Sequence, residues 1–326
     1  MTGVVTVAVG NQPAWLRKYD TDGNVDWTST YGSPQGAVAR GDGLAIDSNG
    51  EIAVAGYASF FDLNQGNNAW IGKFSADGDL VWTEHYGDPG NVTDHARGVT
   101  VDGIDRLGVV GTSDGDIVVR RYTEDGGNGW IDTETGTSAD NGNGVVADSA
   151  GDLFVVGDIS TASGTRGWVR KYSSAGAPLW TVTLDGANAS YANAVAVDAD
   201  DTVVVVGRER VGGVDVAWIR RYDADGAELA SYDADAGGVS LGIGAAVQVD
   251  EQGAIIVGGS AGADSASMAL IKLGPDGSPL WGDSLNLGVN ETILGVDADD
   301  DGSLAVCGFY YDIQDGAVAW IRKYTG

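Results

Sequence analysis

The sequence predicts an all-β fold, a β-propeller of four-stranded antiparallel blades, on three observations. The stretch Ala14 to Trp27, AWLRKYDTDGNVDW, returns six more times in recognisable form across 326 residues. Anchored on the basic residue near the end of each C strand (Lys18, Lys73, Arg121, Lys171, Arg221, Lys272, Lys323), the copies fall 55, 48, 50, 50, 51 and 51 residues apart. All ten tryptophans stand on two columns, three positions before an anchor or nine after it. A period near 50 with four short apolar runs and no helical spacing marks a propeller, because a lone sheet cannot bury both faces whereas a ring of sheets can.

The elements follow in order. Between the two tryptophan columns stands a turn signal, such as DTDG, SADG or TEDG, whose last Gly supplies the φ > 0 position of a hairpin. The runs on either side are strands C and D. A second hairpin precedes each C strand. Its first run, strand A, ends in Asp47, Asp102, Asp148, Asp198, Asp250 or Asp297, and its second, strand B, ends in Gly10, Gly56, Gly111, Gly157, Gly207, Gly259 or Gly308. Asp to Gly is nine residues in five copies and eleven in the last, which gives that A-to-B turn two extra residues. Runs such as VVVVG are apolar on both faces, as a strand sandwiched between sheets requires.

The blades of this single domain, 1–326, fall at about 1–31, 43–86, 98–133, 143–184, 193–232, 244–285 and 292–326. Five are complete; the first lacks strand A and the last lacks strand D, and seven is the preferred count. The alternative is six, in which the last A, B and C borrow the first D strand near Val25 to Tyr31. The A-to-B and C-to-D turns lie on one face and are nearly constant in length. The B-to-C and D-to-A connections lie on the other and vary, the interval from Gly to the C-strand tryptophan column running 5, 14, 7, 11, 11, 10 and 12 residues. Loops free to vary on a rigid scaffold are where binding concentrates.

Composition narrows the partners. With 47 acidic against 18 basic residues and a net charge of -29, the chain has the wrong field for nucleic acid and for an anionic membrane surface. Twelve of the 18 basic residues sit in the C strands at the anchor or the position before it, which leaves the loops almost purely acidic. Cys307 is alone, so no intramolecular disulfide forms, and it reads as a small core residue. No apolar run is long enough to span a bilayer, and no signal peptide is evident. The chain opens inside a strand B, so the missing signal carries little weight.

The pattern VDxxGxxxVxG followed by AWIxKYxxDGxxxW resembles the bacterial seven-bladed β-propeller repeat family, and its C and D strands are similar to pyrroloquinoline-quinone-like propeller repeats. The resemblance covers essentially the whole chain. It implies a scaffold, often one module of a longer extracellular protein. The quinone enzymes' adjacent cysteine pair is absent, so only their structural tryptophan columns carry over.

Candidate site residues fall into five groups. Just before each A strand, at the pore mouth on the variable face, stand Asp42, Arg97, Asn143, Asn193, Ala245 and Thr292, a convergent polar set suited to a small ligand or to loop capping. The aromatics outside the repeat grammar, Phe60, Phe61, Tyr191, Tyr310 and Tyr311, are candidate contacts. Asp297, Asp299, Asp301 and Ser303 in DADDDGS space oxygen ligands as Ca²⁺ coordination requires, resembling the calcium loops of integrin-type propellers; the later acidic ligands of such a loop are missing, and a solvated acidic turn is the alternative. His85, His95 and Asp94 lie on one connection, a sparse set for a transition metal. GGSAG at Gly258 to Gly262 matches a nucleophile elbow in form but lacks its helix and its histidine. The tryptophan columns and the anchors are read as packing and as ion pairs to turn carboxylates.

The functional expectation is a non-enzymatic, monomeric scaffold outside the cell or on its surface, offering its variable loop face to a glycan or a protein. No cofactor is expected beyond Ca²⁺ at the acidic turn. The alternatives are a polysaccharide hydrolase or lyase using loop carboxylates such as Asp42 and Asp94, and a structural spacer in a longer array.

Overall fold

The B strands are mostly apolar runs and each C–D pair brackets an Asp-Gly or Ala-Gly turn; this grammar is realised as antiparallel sheets. The structure, a computed structural model, describes residues 2–3, 13–32, 38–59, 66–87, 93–184, 188–262, 267–287, 289–299, 302–312 and 316–324. Among these every regular element is a strand. Five sheets carry A, B, C and D in sequence order, one of them with an added two-residue strand at Asp235–Ala236. The first sheet and the last have three strands each. The all-β propeller expectation holds. The preference for seven blades, five complete and two three-stranded, does not: the six-blade alternative, in which terminal strands share a blade, is the one supported. Six blades of four strands is the count these strands can fill.

Two compact units divide the chain: Met1–Val155 with Ile159–Ala162 and Tyr172–Leu179, and Val156–Asp158 with Ser163–Lys171 and Trp180–Gly326. In the first, strand Ile52–Ser59 shows why B strands are apolar on both faces. Ile52 and Val54 pack with Ala14 and Leu16 of the preceding sheet, while Ala53 and Ala55 pack with Leu107 and Val109 of the following one. In the second unit Val204 and Val206 meet Ile255 and Val257, and Ile256 turns the other way onto Leu304 and Val306. Full burial of each valine, leucine or isoleucine among them is worth about 1.5–3 kcal/mol.

The constant-length turns are consumed in holding neighbouring sheets together. Indole Nε1 of Trp27, Trp82 and Trp130 each donates to a carbonyl in the next sheet's C-to-D turn (Ala76, Glu124 and Ser174), all at 3.2 Å, and Trp180 does the same to Ala224 at 2.9 Å. The Gly closing each turn lies flat on that indole. Gly176 sits at φ 91°, and a Cβ there would stand 2.6 Å from the Trp130 ring, so left-handed backbone and ring contact both demand glycine. Where the column holds Ala230, Tyr232 takes the ring's place against Gly277. Two tryptophans, Trp70 and Trp168, are fully buried and the other eight are half-buried, as packing predicts.

The A-to-B turns are committed as well. Asp47 Oδ1 accepts from the amides of Asn49 and Glu51 at 2.9 Å, and its Oδ2 lies 2.8 Å from Lys73 Nζ. Asp198 repeats the arrangement with Arg221 at 2.9 Å, Asp250 with Lys272 at 2.9 Å, and Asp102 pairs with Arg121. The aspartate column is thus an Asx-turn and ion-pair device, as its residue type predicts.

Candidate functional site

The innermost strands position the candidate ligand residues. Five A-strand ladders shift register, at Gly41/Gly43, Ala96/Gly98, Ala192/Ala194, Gly244/Ala246 and Ile293/Gly295. The residues skipped by these bulges are Asp42, Arg97, Asn193, Ala245 and Leu294. Four belong to the expected pore-mouth column; in the last sheet the bulge residue is Leu294, two positions beyond Thr292. The cause is a misjudged turn. Asp299, not Asp297, begins it: Asp299 N donates to the Ser303 carbonyl, Gly302 N to the Asp299 carbonyl, and Ser303 N to Asp299 Oδ1 at 2.8 Å, the same bonds made around Asp250. Asp297 is still in strand, paired with Ala305. The last turn therefore has no extra residues.

The B-strand glycines confirm this register. Where a Cβ would stand on Gly56, Gly111, Gly207, Gly259 and Gly308, the carbonyl of Arg40, His95, Tyr191, Ile243 and Thr292 already sits. These five residues each lie two positions before a bulge. They form a second row of side chains beside the first, and Thr292 belongs to it.

The two rows interlock between adjacent inner strands. Asp42, on Ala39–Ile46, has Oδ2 2.6 Å from His95 Nε2 on His95–Val101, and Oδ1 2.7 Å from Arg40 Nε. The ring edge of His95 meets Tyr57 with centroids 5.0 Å apart. Arg97 reaches the following strand, Asn141–Ala147, donating to Asn141 Oδ1 at 2.9 Å and Asn143 Oδ1 at 3.3 Å. In the second unit Asn193 Nδ2 donates to the Gly244 carbonyl at 2.8 Å, and the guanidinium of Arg208 covers the Tyr191 ring at 4.3 Å. Thr292 Oγ1 donates to the Ile293 carbonyl at 3.2 Å.

Three positions before the bulge lies a further column that the sequence reading missed: Ala39, Asp94, Asp140, Ser190 and Glu291, all buried. The four polar side chains pin the variable connections. Asp94 Oδ1 accepts from Ser113 Oγ at 2.6 Å and from Asp114 N at 3.2 Å. Asp140 takes the amides of Gly136 and Ser160, Ser190 Oγ takes Gly167 N at 2.9 Å, and Glu291 takes Leu287 N. Asp94, wholly inaccessible, is out of reach of a substrate, which removes one of the two carboxylates considered for hydrolysis. The only sequence signal for the column is a short polar residue at that spacing, and it is visible only once the bulges are known.

The other candidates disperse. Phe60, Phe61 and Asp301 lie outside the described residues. Tyr311 is 50% exposed and Tyr310 half-buried on strand Leu304–Asp312. Ser260 of the GGSAG stretch is a buried strand residue donating to the Glu291 carbonyl at 3.3 Å, so it is not presented as a nucleophile. No helix of the described residues is long and apolar enough to cross a membrane, and no group of three or more metal-binding side chains occurs among them.

His85 and His95 point to different partners. His85 Nε2 lies 3.0 Å from Tyr31 Oη between two sheets, and burial lowers its pKa. A base whose folded pKa is depressed takes up its proton more readily when unfolded. Stability therefore falls as pH drops below the unfolded value of about 6.5 and levels off below the folded one. Urea midpoints measured from pH 7.5 to 5 should decline less steeply in His85→Gln than in the native protein; parallel slopes would show that His85 is not the titrating group.

No protein-family model matches this chain, and no curated protein matches it. Solved structures do. A protein from Lactobacillus plantarum superposes with a TM-score of 0.61 at 15% identity over 99% of this chain and 94% of the other. A protein of unknown function from Dyadobacter fermentans gives 0.58 at 12%, over 87% and 94%. The WD40 domain of Neurospora crassa Pan2 gives 0.51 at 12%, over 88% and 91%. At such identities the likeness shows the propeller fold alone.

Proposed function

We propose that this chain is a non-enzymatic binding module, acting outside the cell or on its surface, that receives a glycan or protein on the face of its B-to-C and D-to-A connections. One observation carries the reading: the opposite face is occupied by its own structure. There the A-to-B aspartates hold the anchors and the C-to-D turns hold the indoles, so residue changes on that side loosen neighbouring sheets. The variable face also joins neighbouring sheets, through Asp42 to His95 and Arg97 to Asn141, but its connections are not tied to the anchors and indoles of the repeat. It carries the exposed Tyr311 and two rows of polar side chains set on rigid strands. The repeat grammar supports a place among bacterial propeller-repeat scaffolds.

A glycan-array screen, with and without a Ca²⁺ chelator, tests the proposal. The expected result is retention of one glycan class, lost on Tyr311→Ala. Loss of binding with chelator would assign a calcium ion to Asp297, Asp299 and Ser303. Silence on the array, and in capture of extracellular proteins from the source culture, would overturn the reading in favour of a spacer.

A further inference from the structure

We infer that the openings of the inner strands in the first unit bind a small carboxylate ligand of the sugar-acid class, with the Arg40 guanidinium on the carboxylate and the Asp42–His95 pair on a hydroxyl. The inference rests on the variable face being the binding face and names what one part of it takes.

The first ground is an inversion of charge. The chain holds 47 acidic residues against 18 basic ones. Yet the three consecutive inner strands Ala39–Ile46, His95–Val101 and Asn141–Ala147 contain Arg40, Arg97 and His95 and a single acid, Asp42. Twelve of the 18 basic residues are C-strand anchors or their neighbours. Two of the remaining six have therefore been placed here, where they serve no anchor.

The second ground is orientation. Asp42 spends both oxygens, Oδ1 on Arg40 Nε at 2.7 Å and Oδ2 on His95 Nε2 at 2.6 Å, so its charge is compensated and it holds both partners still. Arg40 is gripped at Nε and its side chain stays 47% exposed, so the planar fork of its terminal amino groups is the part left to take a ligand. Such a fork matches a carboxylate in two parallel hydrogen bonds. His95, tied at Nε2 and steadied by the Tyr57 ring, keeps Nδ1 for a hydroxyl. Arg97, fixed by Asn141 and Asn143, adds positive charge beside them.

The third ground sets the ligand's size. The chain's net charge of -29 opposes a polyanion along its length, whereas a molecule with one carboxylate brings little charge against it. A single uronate unit, its other groups hydroxyls, fits both the fork and the imidazole.

Calorimetric titration at pH 7 with D-galacturonate, D-galactose and sulfate tests this. Galacturonate should bind, galactose and sulfate about tenfold more weakly or not at all, and Arg40→Gln should weaken galacturonate by about tenfold. Arg40 is exposed, so the variant should keep the native circular dichroism and melting temperature. Equal binding of galactose would overturn the carboxylate, equal binding of sulfate would overturn the sugar, and an unaffected Arg40→Gln would overturn the site. If galacturonate is silent while a glycan on the array is lost with Tyr311→Ala, this inference fails and the proposed face survives; silence in both removes both.

Discussion

Lys73→Met should destabilise the protein by about 3–5 kcal/mol, because it strips the partner from a carboxylate with no route to water. The Lys73 side chain is 1% exposed and that of Asp47 is not exposed at all, and Nζ lies 2.8 Å from both Asp47 Oδ2 and Glu51 Oε2. Nζ also donates to the Glu124 carbonyl of the next sheet at 3.3 Å, so one ammonium ties turn to turn across a blade boundary. Burial by itself would lower the lysine's pKa, but Asp47 and Glu51 outweigh it and the net shift is upward. A base raised on folding contributes its full stability below the unfolded pKa of about 10.4 and loses it as pH rises through the folded value, so the effect is undiminished near neutrality. The charge, not the lost packing, is the larger cost. Asp47→Asn combined with Lys73→Met should therefore recover part of the loss, since methionine fills the space and the only carboxylate left without its partner, Glu51, reaches solvent. Urea midpoints of the single and double variants decide it: a double variant no more stable than the single one would mean that packing dominates.

Much of this fold could be read beforehand, because within a hairpin the hydrogen-bond register turns spacing into contact. The anchor faces the residue nine positions on, Lys18 opposite Trp27, Lys73 opposite Trp82 and Lys272 opposite Trp281, so the D-strand tryptophan column is one cross-strand geometry seen repeatedly. The Asp column was legible for a similar reason, an Asx-turn being local. What failed was local too. DADDDG offers several aspartates, and choosing Asp297 over Asp299 shifted the last inner strand by two residues and put Thr292 where Leu294 belongs. The blade count failed at the terminal sheets, where an incomplete set of strands does not declare how it will be completed. Apart from the tryptophan packing, individual contacts between repeats were invisible. Asp42 and His95 are 53 residues apart on strands whose intervening connections vary in length, and nothing in either residue's neighbourhood announces the other. The pins Asp94, Asp140 and Glu291 were hidden because their spacing is regular only from a bulge, and a bulge is a property of pairing rather than of one strand.

Trp70→Ala should cost about as much as the buried lysine, roughly 3–5 kcal/mol, by another mechanism. Trp70 is 1% exposed, and its ring stacks on Tyr31 of the preceding sheet with centroids 4.3 Å apart and planes 10° from parallel, while Phe74 meets its edge. Its Nε1 donates to Thr83 Oγ1 at 2.8 Å. Truncation opens a void that must persist, because Ile52, Val54 and Leu16 around it are held by the ladders of two sheets and cannot close in. Trp70→Phe separates the contributions: it keeps a ring for Tyr31 and leaves Thr83 to its other bond, to the Ile71 carbonyl at 3.0 Å, so its cost should be about 1–3 kcal/mol. Trp15→Ala is the control, since that indole occupies the same column but is only half-buried, and its loss should fall below that of Trp70→Ala. Equal midpoints for Trp15→Ala and Trp70→Ala would contradict the packing account, because burial is what distinguishes two residues of identical type and column. The comparison also bears on the binding face: Trp70 lies in the same sheet as Arg40, Asp42 and Tyr57, so a variant that loosens this sheet should weaken any ligand held by them before the protein unfolds.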